Sequence, residues 1–500
     1  MVVSILVYIF QLTSPKTELP SIFFTTVIVN VKDHGAKGDY VHDDTQAIIN
    51  SIKFAKANGI STVYLPAGIY AIKQQGIKAG VIPLLNGVSL RGAGAKKCHI
   101  KLSGNRYNPS SIFYQAWWDE PIVSNIVIQG IDFDGNQSKQ QFDPLYQYCH
   151  ALSINNGENI EIKNCKFQSF RGDGVLFGDT FLPTPDLRLV KNVKVHDNIF
   201  YDIYREGAMF CCVNQAAFYN NYLHGNGFFV GGVDIERHSV NETVLNVSVY
   251  GNTFDFSDGF GPAERGGPIV KYRRAITMGF FYKGYKNKIA DGRSGGHHIY
   301  NNKIFQGQID CWGHTNITIN NNTFENTYEN IDGVNWLTPS AINVSDPAAT
   351  IGLKTVIVSN NVIKSRMKGN GILFYNYSNI SATGNLINGT LLDGINIYFA
   401  TGDFRYNLIK NVGSPLKKVA GIVINGNSPG LILSNNTIID TNPIGKQGIN
   451  YAIAIQSKND GSPAPKIYDN TGVNIINDVV KEFGGQLGDV DQHGNKKTNR

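Results

Sequence analysis

The stretches NVSVYGNTF (246–254) and NITINNNTF (316–324) are two copies of one pattern. Each is a short strand in which apolar and polar residues alternate, then a turn containing asparagine, then a second apolar stretch. Three more copies are NIEIKNCKF (159–167), NVKVHDNIF (192–200) and NISATGNLI (379–387). Weaker ones are AAFYNNYL (216–223), HIYNNKI (298–304), TVIVSNNVI (355–363), FRYNLI (404–409) and LILSNNTI (431–438). The asparagine column holds Asn198, Asn221, Asn252, Asn302, Asn322, Asn361, Asn385, Asn407 and Asn436, with Cys165 at its head. An asparagine at such a turn tolerates left-handed geometry, and once stacked its amide can pair with the backbone above and below.

Most repeats carry a further strand that starts near glycine: GVLF (174–177), GAMF (207–210), GVDI (232–235), GVNW (333–336), GILF (371–374), GINI (394–397) and GIVI (421–424). Units this short cannot bury an apolar face alone, but stacked they can. The expected fold is therefore all-β, a single-stranded right-handed parallel β-helix. A solenoid end exposes strand edges and needs a cover. The amphipathic segment 43–59, DDTQAIINSIKFAKANG, supplies one as an N-terminal capping α-helix, with Asp43 or Asp44 as N-cap and Gly59 at its end. This divides the chain into a leader or packing segment (1–30), a cap (31–84), the β-helix with inserted loops (85–483) and a polar tail (484–500).

The composition agrees. There are 53 glycines, 24 tyrosines and 27 phenylalanines, which favours strands joined by tight turns. Net charge is +6 without a Lys/Arg cluster, so nucleic acid is not an expected partner. Residues 1–10, MVVSILVYIF, are too short to span a membrane and lack a basic flank, so membrane insertion is not expected either. The six cysteines have no metal-binding spacing and read as single buried residues.

The segment 31–72 contains HGAKGD, the DDT that opens the cap helix, and VYLPAGIY; LNGVSLRGAG (85–94) follows. These pieces resemble the N-terminal signature of the pectate-lyase-like right-handed parallel β-helix superfamily. That resemblance implies the fold, and it is shared by polysaccharide lyases, glycoside hydrolases, uronan epimerases and phage tailspikes. The chain lacks the polygalacturonase set (NTD, DD, GHG and RIK together) and the DPH motif of alginate epimerases.

Candidate site residues come from GGVDIERH (231–238). Aligned on glycine, Val233 falls in an inward column with Val175, Ala208, Val334 and Ile372. Asp234 falls in an outward column with Leu176, Met209, Asn335, Leu373 and Asn396. Glu236 lies two residues further along the same face. Residues i and i+2 of a strand are roughly 6.6 Å apart at the backbone. Inverting glycosidases set their carboxylates ~6.5–9.5 Å apart and retaining ones ~5–5.5 Å. FRGDG (170–174) and YREG (204–207) place Asp173 and Glu206 in one column on adjacent coils, where two close acids raise one pKa. The expected catalytic groups are Asp234, Glu236, Glu206 and Asp173. Arg205, Arg237, His238, Trp117, Trp118, Lys271 and Arg273 are expected to bind substrate. Against this, acids beside a turn glycine are common turn residues, and tryptophans are more often packed beneath loops than stacked on sugar.

These residues point to cleavage of a polysaccharide outside the cell or on a virion, with glycoside hydrolysis preferred. The alternatives are a uronan lyase or epimerase, in which Arg205, Arg237, His238 and Lys271 gain weight, and a non-catalytic carbohydrate-binding adhesin. No cofactor and no metal site are called for, although a lyase would admit Ca2+. The expected assembly is a monomer or a homotrimer.

Overall fold

The turn inside each repeat is made by two adjacent residues with different jobs. The first takes the left-handed conformation: Asn164, Asp197, Asn220, Asn301, Asn321, Asn360, Asn435 and Asp469 all have φ between 52° and 56°. The second is the ladder residue itself. Its amide is spent on the neighbouring coil rather than on the left-handed corner, which corrects the expectation that one asparagine does both. Asn322 donates its backbone N–H to Asn361 Oδ1 (3.0 Å) and its Nδ2 to the same oxygen (3.0 Å) and to the Ile299 carbonyl (2.9 Å). Asn361 repeats these contacts to Asn385, and the series runs from Asn198 through Asn470 to Asn495. Cys165 heads the ladder and donates its N–H to Asn198 Oδ1 at 2.9 Å.

The computed structural model describes residues 27–73, 80–103, 111–115, 122–140, 149–178, 189–225, 231–238, 242–257, 273–280, 292–327, 340–346, 355–426, 428–456, 463–483 and 491–498. Among them the strands form three parallel sheets of 17, 16 and 14 strands, and successive coils add one strand to each. The chain is a right-handed parallel β-helix. Its interior is a continuous stack of side chains such as Phe133, Phe167 and Phe200, whose rings lie face to face at 5.1 and 5.0 Å. All six cysteines are buried and none forms a disulfide.

The cap is helix α1, Thr45–Ala57, which buries Ile48, Ile52 and Ala55. Asp44 occupies the N-cap position, but its carboxylate accepts instead from the N–H groups of Lys37, Gly38 and Ala71. Asp43 accepts the Thr45 N–H, and Gly59, at φ 67°, follows the helix end. The acidic pair thus ties the HGAKGD loop and the first coil to the helix. Strands begin before residue 85, at Val29–Asn30, Thr62–Leu65 and Gly68–Ile72. They continue to Lys496–Thr498, inside the segment read as a polar tail, because Asn495 prolongs the ladder there.

The 14-stranded sheet positions the candidate site. Its relevant strands are β1 (His150–Ile154), β2 (Val175–Phe177), β3 (Glu206–Phe210), β4 (Gly231–Arg237), β5 (Arg273–Phe280), β6 (Gly307–Trp312) and β7 (Ser340–Ser345). Val175, Ala208, Val233, Ile276, Ile309 and Ile342 register as the inward column. Two coils, β5 and β6, were not anticipated, because neither opens on the glycine–β-branched signature. The place expected for GVNW (333–336) is taken by β7, with Ile342 where Val334 was expected and Asn343 where Asn335 was expected. Residues 333–336 themselves lie outside the described residues.

Candidate functional site

The outward column is Leu176, Met209, Asp234, Thr277, Asp310, Asn343, Leu373 and Asn396, one residue per coil. Coils are stacked ~4.8 Å apart, so Asp234 and Asp310 are separated by about 10 Å at the backbone. Apolar residues hold the lower coils of this column, and acids appear where it passes β4 and β6.

Glu206 joins this face from the coil below. Its backbone pairs with that of Gly231. Its Oε2 sits 2.1 Å from where a β-carbon on Gly231 would be, so the missing side chain is what lets the carboxyl lie across β4. Asp173, beneath Glu206, is fully buried. It accepts the Glu206 N–H at 3.1 Å and faces Arg205 Nε at 3.5 Å and His150 Nδ1 at 3.0 Å. Burial pushes the Asp173 pKa up, but Arg205, His150 and the Glu206 N–H outweigh it and hold the group below the ordinary carboxylate value.

The next two acids behave in the opposite way. Burial, followed by the charge of Asp173, pushes Glu206 up to about 8 against the pull of Arg205 and Arg274. Burial, followed by Glu236 and Glu206, raises Asp234 well above its ordinary value. Glu206 is therefore shifted toward its protonated form at neutral pH, and Asp234 is shifted in the same direction. Glu206 Oε2 and Asp234 Oδ1 are buried and have no hydrogen-bond partner among the described residues. Glu236 Oε2 lies 3.1 Å from His238 Nε2, and the His238 N–H donates to Glu242 Oε2 at 2.5 Å. Arg237 points the other way along β4 and is 5% exposed, which sets it apart from the acids.

Asp173, Glu206, Asp234 and Glu236 therefore share one electrostatic environment with Arg205. Trp117, Trp118 and Lys271 lie outside the described residues, and Arg273 is described only through its backbone in β5. Two residues of the face were not singled out from the sequence, Asp310 and Trp312, and a third, Arg274, reads from the sequence only as one of the charged residues of the long insertion 255–297. Asp310 is 1% exposed; burial pushes it up to about 6 while Arg274 pulls it down. The signal was there, since QIDC (308–311) repeats the β-branched–Asp order of GVDI (232–235). Among the described residues no group of three or more His, Cys, Asp or Glu side chains is placed to hold a metal ion.

A solenoid of three parallel sheets, with an α-helical cap and a stack of acids on one sheet, defines a right-handed parallel β-helix protein. The domain family described as rhamnogalacturonase A/epimerase, pectate lyase-like, matches residues 28–253. The mannuronan C5-epimerase AlgE3 of Azotobacter vinelandii is 26% identical over 248 residues, 49% of this chain and 12% of that protein. Alginate lyase 7 of the same organism is 28% identical over 218 residues, 40% of this chain and 22% of that protein. The match thus spans less than a quarter of either relative. The tailspike of E. coli bacteriophage HK620, solved with a pentasaccharide, superposes with a TM-score of 0.54 at 13% identity, over 94% of this chain and 78% of that one, a likeness of fold.

Proposed function

We propose that this chain acts on a uronic acid polymer, outside the cell or on a virion, by proton transfer at C5 of the sugar. The observation that carries this reading is the pair Glu206 and Asp234: two buried carboxyl groups, both shifted toward the protonated form, each with an oxygen that no described residue satisfies. A neutral carboxylic acid in an apolar setting donates a hydrogen bond to a developing oxyanion. Removing the C5 proton of a uronate places that charge on its carboxylate. The Glu236–His238 pair supplies the base.

In the elimination version the C5–H proton goes to the base, and its electron pair forms the C4–C5 double bond. The C4–O bond breaks, and the leaving oxygen takes a proton from a neutral acid of the column. In the epimerisation version the carbanion is reprotonated at C5 on the opposite face and no bond of the chain breaks. The similarity to mannuronan epimerases and an alginate lyase supports this chemistry over hydrolysis. Hydrolysis is the second reading, favoured by Glu206 itself, because a carboxyl at about 8 beside an ionised one is suited to act as general acid.

The test is digestion of a panel of polymannuronate, polyguluronate, polygalacturonate and neutral glycans in heavy water. Elimination gives ultraviolet-absorbing unsaturated ends, and epimerisation gives deuterium at C5 without shortening. Products heavier by one water and lacking C5 deuterium would establish hydrolysis instead. No change in any polymer would leave a binding protein.

A further inference from the structure

The side chain of Arg274 is fixed at two points. Its Nε lies 3.2 Å from Asp310 Oδ2, and its guanidinium carbon stands 4.7 Å from the centroid of the Trp312 ring. Asp310 is in turn held by the side-chain amide of Gln308, which donates to the same Oδ2. The indole is seated over Gly279, where a β-carbon would come within 3.2 Å of its Cε3. Two adjacent coils, β5 and β6, are thus shaped around one guanidinium.

That clamp uses the Nε edge and one face of the group. The Nη edge takes no hydrogen bond or ion pair with a described residue, and the Arg274 side chain is 40% exposed. Its backbone pairs with that of Gly231, across which the Glu206 carboxyl lies, and its charge acts on both Glu206 and Asp234. A planar guanidinium with its Nη edge presented matches a carboxylate with two parallel hydrogen bonds, and stacking removes the rotamer freedom that such a contact would otherwise cost.

We infer that Arg274 is the carboxylate-binding residue of this face, with Asp310 and Trp312 as positioning residues, and that its ligand is the carboxylate of a sugar acid next to the Glu206 and Asp234 carboxyls. This rests on the uronan reading above and adds to it the group that selects the acid over its neutral form. Asp310 works through Arg274: it neutralises part of the guanidinium charge and sets its direction.

Isothermal titration compares each polyuronate with its fully methyl-esterified form. The wild type is expected to prefer the acid. Arg274→Gln is expected to lose that preference, with acid-form binding weaker on the order of 10- to 100-fold, as for a hydrogen bond to a charged group, and ester binding unchanged. Arg274→Lys, which keeps the charge without the fork, is expected to recover only part of it. Asp310→Asn is expected to reduce the acid-over-ester ratio while thermal unfolding remains cooperative. A wild type that prefers the acid together with an Arg274→Gln variant that prefers it equally would overturn the assignment and leave the uronan reading standing. A wild type that binds neither form overturns the uronan reading, and this inference with it.

Discussion

The carboxyl of Glu206 occupies the space that a side chain on Gly231 would fill, with Oε2 2.1 Å from the position of a β-carbon there. The glycine is therefore part of the site although it carries no functional group. Gly231→Ala forces the carboxyl away from Asp234 and Arg274. A displacement of about 1 Å at a reacting group can cost roughly 100-fold in rate. Turnover of the responsive polymer should fall by about that factor. The far-ultraviolet spectrum should stay that of a β-helix, since β4 keeps its pairing to β3 and β5.

Glu206→Gln separates the acid's charge from its shape. The folded protein keeps the Glu206 proton up to about pH 8, whereas the ordinary value is 4.5. Between those values the folded state binds more protons than the unfolded one, so raising the pH removes stability from the wild type. The glutamine variant lacks this loss. Its advantage in denaturant midpoint should be small at pH 5 and grow to pH 8. An advantage independent of pH would mean that the carboxyl ionises normally. Wild-type activity should fall as the pH rises through 8, because the protonated form is the one that donates.

Much of this fold was legible because the solenoid writes each coil into the sequence. The alternation in NVSVYGNTF marks two of the three sheets, and Asn252 marks the corner between them. The third sheet was harder to follow. β5 lies inside the segment 255–297, which reads as one long insertion, and Ala275 and Ile276 open its buried stretch where other coils have glycine and valine. Missing β5 and β6 removed Thr277 and Asp310 from the column, so the acids seemed to stop at Asp234. The carboxyl protonation states were only half legible. Spacing indicated that Asp173 and Glu206 share a column. That Asp173 stays ionised depends on His150, 23 residues earlier, and on how far Arg205 reaches back.

The asparagine ladder gives a stability test away from the site. Asn361 Oδ1 accepts from both the N–H and the Nδ2 of Asn322, and its own Nδ2 bonds the Ile319 carbonyl and Asn385 Oδ1. Asn361→Ala leaves a buried backbone N–H without an acceptor. Its expected cost is about 2–4 kcal/mol by urea or guanidinium unfolding. Asn495→Ala, at the partly buried end of the same series, should cost about 1 kcal/mol or less, because water can replace the lost contacts.

Acid stability depends on a pair of rings that the proposed chemistry does not use. His297 and His314 are fully buried, with His297 Nε2 2.9 Å from His314 Nδ1. The Val247 N–H donates to His297 Nδ1, which leaves the proton on Nε2 to be given to His314 Nδ1. His314 must then carry its own proton on Nε2, and that nitrogen lies 3.0 Å from the Gly279 carbonyl. Both rings are therefore neutral in this arrangement. Burial lowers the His314 pKa to about 4 from 6.5 and takes His297 well below 6.5. Between pH 6.5 and 4 the unfolded chain binds protons that the folded one refuses, so stability falls as the pH drops through that window. Gly279 lies beneath Trp312, so loss of this relay also loosens the seat of the indole. His314→Gln keeps a donor toward the carbonyl but does not titrate. Its deficit against wild type should be largest at pH 7 and shrink toward pH 4 when unfolding is followed by tryptophan fluorescence; a deficit that stays constant would mean that the pair is charged, or hydrated, in the folded protein.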